Sequence, residues 1–309
     1  MKRLLLAASL LLLAVTASAE WQTVLTDDNT LWSANEQSIS VKLDLQYRAG
    51  DQRTSVRVPG TEDSVTESHP RLAWDSATRA LFVMWRHGDE IRIARRSAAG
   101  EWSSHPVARG TALDGLQFVI TRSSNMTLLH GAWWSGDTAE YALVAFEGAQ
   151  VVSTAVVKLD ELANIRGAAA TPEDTGTAVH PPLAMTRAGD GVDVAYGAPR
   201  STAVTIVNIR PEKIYNDARM WRPSGRMGHR SEPAGLTSIN SAPVRSFIVE
   251  GRVVLYTPDS RFRYVVLENG RWTPIRMLAL DETLTSEELV NALRRSVLEH
   301  GADNTAASQ

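Results

Sequence analysis

An all-β chain, built from copies of one four-stranded antiparallel sheet, is what this sequence predicts on three observations. The first is the stretch at residues 69–107, HPRLAWDSATRALFVMWRHGDEIRIARRSAAGEWSSHPV. It divides into runs rich in β-branched and aromatic residues at about 71–75, 80–86, 90–97 and 101–107, joined by the tight connections SATR, HGD and AAG. The second is an internal copy: HPRLAWDSATRALFVMW from His69 aligns without a gap on HPPLAMTRAGDGVDVAY from His180. Leu72 matches Leu183, Ala73 matches Ala184, Val83 matches Val194, and Trp85 meets Tyr196. The third is size, because a sheet of this length cannot bury both faces alone and needs copies on either side. These observations predict a β-propeller of four-stranded antiparallel blades, five in number with six as the alternative, followed by a C-terminal α-helix. Two β-sandwich domains are the competing architecture, and the ungapped repeat argues against it.

The repeating units fall at about 20–66, 69–110, 113–159, 180–226 and 241–278. The first is the least regular, with strands expected at 21–25, 38–46 and 53–58. In the third, LQFVITRSSNMTLLHGAWW (116–134) keeps the strand–turn–strand rhythm with different residues. In the fourth, 203–209 and 219–222 form the outer pair. The fifth, 243–277, again offers four strands and three short turns.

The third turn of each unit carries a further likeness. Gly100-Glu101-Trp102 and Gly270-Arg271-Trp272 both set Gly two residues before Trp, and Gly148 occupies the same point in the middle unit. A Gly there can take the positive φ that a hairpin demands, and the Trp can wedge between sheets. This segment resembles the Asp-box of sialidase-like (BNR-type) bacterial β-propellers, Ser-x-Asp-x-Gly-x-Thr-Trp, of which Ser97, Gly100 and Trp102 are present while the Asp and Thr are missing. The resemblance implies the propeller architecture and covers only short turns. An Arg-Ile-Pro near the start, a full arginine triad and a nucleophilic Tyr–Glu pair, which active sialidases keep, are not recognisable.

Residues 1–19 read as a secretory signal: Lys2 and Arg3, an apolar run, then Ala17-Ser18-Ala19. The apolar run is shorter than the roughly 20 residues that a membrane span needs. A soluble, periplasmic or secreted protein without membrane insertion is expected, its propeller domain at 20–280. The chain has no Cys, so thiolate chemistry and disulfide staples are excluded. The whole chain has a formal charge of −3; residues 1–19 contribute two positive charges and no acid, which leaves −5 for the remainder. A mildly acidic chain has no electrostatic attraction for nucleic acid.

Past the sheets, Leu284-Thr285-Ser286-Glu287-Glu288-Leu289 reads as a capping box with a hydrophobic staple. Leu289, Leu293 and Val297 follow at spacing four. This predicts an amphipathic helix within 284–300, its stripe at 286–299 either docked on the protein's own flank or offered to a partner. Residues 301–309 are expected to be a disordered tail.

In a four-stranded blade the second-to-third turns and the blade-to-blade links share one face. Here those connections are the longer and more charged set, and loops of that kind on a rigid scaffold usually carry function. The candidate binding residues are therefore His69, Arg86, His87, Asp89, Glu90, Asp137, Glu140, His180, Arg200, Asp259 and Arg261. His69 and His180 border the mouth of the channel, although His-Pro is also a natural way to enter a strand, because Pro lacks a ladder donor. No zinc-protease, nucleophile-elbow, phosphate-loop or EF-hand pattern occurs, and no cofactor or metal is expected. Trp74, Trp85, Trp102, Trp133, Trp221 and Trp272 fall in strands, where packing between sheets accounts for them. The residues point to an exported binding protein whose top-face loops recognise a carbohydrate or protein partner. Two alternatives stay open: a sialidase-like glycoside hydrolase using loop carboxylates, and an assembly scaffold acting through the C-terminal helix.

Overall fold

The computed structural model describes residues 21–35, 42–61, 65–164, 183–197, 204–214, 217–231, 245–249, 252–256, 263–268, 271–278, 292–293 and 295–297. The signal segment 1–19, the tail 301–309 and the candidates His180, Arg200, Asp259 and Arg261 lie outside the described residues.

Five antiparallel sheets follow one another along the chain, each with its strands in sequence order. Sheet I holds β1 (Trp21–Leu25), β2 (Leu31–Asn35), β3 (Asp44–Ala49) and β4 (Gln52–Arg57). Sheet II holds β5 (Glu67–Asp75), β6 (Ala80–His87), β7 (Glu90–Arg96) and β8 (Trp102–Arg109). Sheet III holds β9 (Leu113–Ser123), β10 (Met126–Ser135), β11 (Thr138–Glu147) and β12 (Gln150–Lys158), followed by the short helix α1 (Leu159–Leu162). Sheet IV holds β13 (Leu183–Ala188), β14 (Gly191–Gly197), β15 (Val204–Ile214) and β16 (Asp217–Ser231). Sheet V holds β17 (Arg245–Val249), β18 (Arg252–Tyr256), β19 (Arg263–Glu268) and β20 (Arg271–Trp272), with β21 (Arg276–Met277) also paired to β19.

The first strand of each sheet packs beside the first strand of the next, from β1 through β5, β9 and β13 to β17. Faces are therefore shared in succession. Leu81, Val83 and Trp85 of sheet II join Trp32 and Leu45 of sheet I. The alternate residues Phe82 and Met84 join Leu129, Trp133 and Phe146 of sheet III. Sheet III packs its other side, with Trp134 and Tyr141, on Met185 and Tyr196 of sheet IV. Ala195 and Ile206 of sheet IV meet Leu255 and Val265 of sheet V. Strands buried on both sides lose the in–out alternation of half-buried ones: every residue of β10 from Met126 to Trp134 is buried.

The expected Trp wedges are present. Gly100 has φ +87° and its amide donates to the Ser97 carbonyl at 2.9 Å. Trp102, at the far side of that turn, packs between sheets I and II, and Trp272 takes the same place between sheets IV and V. At this end of the stack a buried Asp75 ties sheet II to sheet III. Its carboxylate accepts from Thr78 at 2.7 Å, and from Arg122 and Thr127 of sheet III at 2.8 and 2.7 Å.

Two sequence expectations need correction in sheet IV. The outer pair, expected at 203–209 and 219–222, extends over β15 and the whole of β16. The run beyond Arg222, outside the expected outer pair, is an edge strand as far as Ser231. There Pro223 faces Pro211, and neither has an N–H to leave unsatisfied. The aligned repeat also pairs differently. Leu72 sits opposite Val83, whereas Leu183 sits opposite Tyr196. The hairpin of sheet II closes on four residues between Asp75 and Ala80, and that of sheet IV on two between Ala188 and Gly191, which slides the pairing by two residues.

The far face of sheet V is covered by the chain's own C-terminal segment. Residues 292–293 and 295–297 are helical, and Leu293 and Val297 are buried against Val254, Tyr256, Tyr264 and Val266. The Tyr264 hydroxyl and Ser296 Oγ are 2.8 Å apart. These two residues of the apolar stripe dock on the protein's own flank, the first of the two alternatives that the spacing left open. Among the described residues, no buried cluster combines sheets I and V. Leu293→Ala opens a cavity under sheet V and lowers the unfolding free energy by about 2–5 kcal/mol. Chemical denaturation measures it, and an unchanged midpoint contradicts the docking.

Candidate functional site

The starts of β5 and β9 reach the end of the stack where the second-to-third turns lie. Backbone bonds bind turns and links there: the Gly88 amide donates to Thr66, that of Gly136 to Thr111, and that of Gly110 to Asp89. Both strands begin with the same irregularity. Ser68 pairs with Arg86 and Arg71 with Met84, so three steps on β5 span two on β6. Asp114 pairs with Trp134 and Gln117 with Ala132, so β9 repeats the bulge. Bulges re-aim side chains and concentrate near functional sites.

The residue just after the last regular pair is His69 in sheet II and Gly115 in sheet III. Both are left-handed, at φ +54° and +65°. Gly takes that conformation without strain, whereas a residue with a Cβ does so rarely. A Cβ on Gly115 would lie 3.1 Å from Trp134 Cδ1, so a side chain there would crowd the Trp134 ring. Sheet II carries an imidazole at the equivalent point. His69 Nε2 is 3.6 Å from Asp114 Oδ1, with the two side chains 34% and 43% exposed. The pair stands over a narrow seam between sheets II and III, also lined by Arg86, Leu113, Leu116 and Trp133, which is too tight to hold a ligand within it.

Two guanidinium groups hold the walls of the seam together. Arg86 donates to the carbonyls of Gly88 at 2.8 Å and Leu113 at 2.9 Å. Arg71 donates to the Leu116 carbonyl at 2.7 Å, so both fasten sheet II to the start of β9. Arg86 positions the site through the backbone.

The other sequence candidates divide into engaged and exposed groups. His87 Nδ1 is 2.8 Å from Glu67 Oε1, and Glu67 also accepts from Trp85 Nε1 at 2.5 Å; all three are buried, on the side facing sheet I. Glu90 accepts from Arg109 at 2.7 Å and Arg92 at 2.9 Å. Those bonds, Arg109's first, hold its carboxyl below the usual range. Glu140 accepts from Trp133 Nε1 at 2.9 Å. Trp85 and Trp133 each stand two residues before the end of the second strand, and both anchor on a Glu, one from the first strand and one from the third. Asp89 and Asp137 sit exposed at hairpin tips. Among the described residues no group of three or more His, Asp and Glu has a metal-site arrangement.

Sequence reasoning missed Glu67 and Asp114. Glu67 lies two residues before His69 on the same short segment, the one signal that could have drawn attention to it. Asp114-Gly115 reads as a turn dipeptide, and nothing local says that it faces His69.

His130 has a different role. It is wholly buried in sheet III, with Nε2 2.7 Å from Thr121 Oγ1 and Nδ1 2.6 Å from the Tyr141 hydroxyl. Burial, with a smaller contribution from the charge of Arg187, pushes its pKa down to about 3. Burial also raises the pKa of the Tyr141 hydroxyl.

No family model matches the chain, and no curated protein matches it in sequence. Among solved structures, a protein from Lactobacillus plantarum is 12% identical over 83% of this chain and 70% of that one, with a TM-score of 0.45. An exo-β-1,3-galactanase from Phanerochaete chrysosporium is 7% identical over 87% of this chain and 67% of that one, with a TM-score of 0.38. An α-L-arabinofuranosidase from Lactobacillus brevis is 10% identical over 86% and 91%, with a TM-score of 0.36. Likenesses of this degree assign no activity to this chain.

The buried imidazole sets an acid limit on stability. The unfolded chain protonates His130 below its ordinary value of 6.5, while the folded chain keeps it neutral down to about 3. Stability from this group is therefore full above pH 6.5 and lost as pH falls between those values, by up to about 1.4 kcal/mol per pH unit. His130→Gln flattens that slope in denaturation curves taken from pH 7 to pH 4, and an equally steep slope in the variant contradicts the assignment.

Proposed function

We propose that the five sheets are blades of a β-propeller, and that the protein is an exported binding protein, periplasmic or secreted, which recognises carbohydrate on the surface around His69 and Asp114 without a covalent step. The observation that carries this reading is the backbone of His69. A left-handed non-glycine residue is strained by about 1–3 kcal/mol, and strain of this kind clusters at functional sites. The next sheet uses Gly at the same point of the same bulge, so the fold itself does not require an imidazole there. An imidazole and a carboxylate side by side, both partly open to solvent, offer a donor and an acceptor to adjacent sugar hydroxyls. The sets of turns and links around the seam supply the rim.

Hydrolysis is less well supported. A glycosidase needs two carboxylates flanking the scissile bond. At this end Glu67, Glu90 and Glu140 are engaged by Trp, His or Arg side chains. Asp114, Asp89 and Asp137 remain; the first stands beside His69, and the other two stand at exposed tips. Export is supported by the basic start, apolar run and small-residue motif of residues 1–19.

His69→Gly separates a role in binding from a role in folding. The variant relieves the left-handed strain, so it unfolds with a free energy about 1 kcal/mol higher. It also loses at least about tenfold in affinity, roughly 1.4 kcal/mol, for whichever glycan the wild-type protein captures on an array. Full binding by the variant overturns the reading, as does capture of proteins but no glycan by the wild type. Hydrolysis of glycosides that disappears in the Asp89→Asn, Asp137→Asn double variant favours the hydrolase.

A further inference from the structure

In sheet II, consecutive arginines on β7 are driven into opposite inter-sheet spaces. Strand alternation sends Arg96 towards sheet I, where its guanidinium lies 5.1 Å from the centroid of the Trp32 ring. Arg95 goes the other way, towards sheet III, on the side of its cross-strand neighbour Phe82. It is 8% exposed, and its Nε is buried without a hydrogen-bond partner. Among the described residues no carboxylate is paired with it. A buried guanidinium N–H without an acceptor is costly, and native structures rarely keep one without a reason.

Two further unpartnered groups share that face. Ser103 is directly opposite Arg95 on β8, and His105 stands two residues further along, opposite Ile93. Ser103 Oγ and His105 Nε2 are both buried with no hydrogen-bond partner. The surroundings are apolar: the His105 ring meets the edge of Phe146 at 6.0 Å, and Phe146 meets Phe82 at 5.3 Å. Such walls strengthen the attraction between the guanidinium and an anion. Burial lowers the pKa of His105 and so keeps the imidazole neutral at pH 7, able to donate from Nε2 in one tautomer. The donors are a fixed cation, a hydroxyl and an imidazole N–H, with no acceptor-only group among them.

We propose that Arg95, Ser103 and His105 form a binding site for a tetrahedral oxyanion, phosphate or sulfate, wedged between sheets II and III. The site is distinct from the His69 surface. Arg95 and Ser103 flank the 97–101 turn, at the opposite end of β7 from Glu90. The bound anion neutralises the guanidinium, takes the three orphaned donors, and bridges the outer strands of sheet II to sheet III. The oxyanion is either free in solution or carried as an ester on a sugar; both present the same group.

Thermal unfolding of the full chain, at constant ionic strength with chloride replaced by inorganic phosphate or sulfate, tests this directly. The wild-type Tm rises by about 2–5 °C at millimolar anion. Arg95→Met abolishes the rise, and in chloride it is at least as stable as wild type because the unsatisfied buried N–H is gone. Ser103→Ala, which preserves the packing, weakens the anion dependence about tenfold and serves if Arg95→Met does not fold. A parallel arm with glucose 6-phosphate distinguishes the sources: a rise equal to that with phosphate places the ester in the site, and a rise with inorganic anion alone restricts it to free ions. In NMR titrations the His105 imidazole pKa moves up when sulfate is present, a signature that a purely structural role does not give. No Tm change in the wild type, an undiminished change in Arg95→Met, or an unmoved His105 overturns the proposal and leaves ordered water as the occupant.

Discussion

The central strands of sheets II and III, β6 and β10, have no side facing solvent, and the rest of the molecule follows from that constraint. Successive residues of a strand point to opposite faces, so in β6 the even and odd positions belong to different cores. Phe82 and Met84 face sheet III, while Leu81, Val83 and Trp85 face sheet I. Contact between the layers is close enough that a Cβ on Gly131 of β10 would lie 2.8 Å from Met84 Sδ. Any charged or polar residue on such a strand is trapped between layers and must find a partner there. The Glu67–Trp85–His87 group, the Asp75 clasp, the His130–Tyr141 pair and the orphaned Arg95 cluster are four outcomes of that one condition. Three have protein partners, and the fourth is the one for which an outside ligand is proposed.

The same constraint places the His69 surface. Side chains near the middle of a fully covered strand cannot reach a ligand, so recognition is confined to the ends, where turns and links leave the stack. The bulges at the starts of β5 and β9 break the ladder there and turn one residue out of register. In sheet III that residue is a Gly under Trp134, and in sheet II it is His69. The terminal sheets meet the constraint differently. β4 of sheet I is largely exposed, and sheet V is capped by Leu293 and Val297.

What was legible in the sequence was local. Turn residues and period-two runs located the units, and Gly100 with Trp102 announced both the positive φ and the wedge, because each needs only neighbouring residues. The stripe through Leu293 and Val297 was read from spacing, and the choice between flank and partner needed the face of sheet V. The length of β16 was hidden because Pro223 and its neighbouring Gly residues look like a turn until an edge position removes the objection. The Leu183–Tyr196 pairing depended on a turn two residues shorter than its counterpart, which an ungapped alignment cannot show. Glu90 and Glu140 were picked as ligand-facing groups from their loop positions. Their true partners, Arg109 and Trp133, are set by cross-strand register, and register is where single-sequence reading ends.

The most direct test of the shared-face account is native-state hydrogen exchange on the Phe82→Ala variant. Phe82 belongs to sheet II by sequence but packs in a core made equally by sheet III. Its removal destabilises by about 3–5 kcal/mol. The account predicts that amides of β9–β12 lose protection together with those of β5–β8, to a similar extent. Loss confined to sheet II, with sheet III exchanging as in the wild type, would show that the sheets stand independently and contradict it.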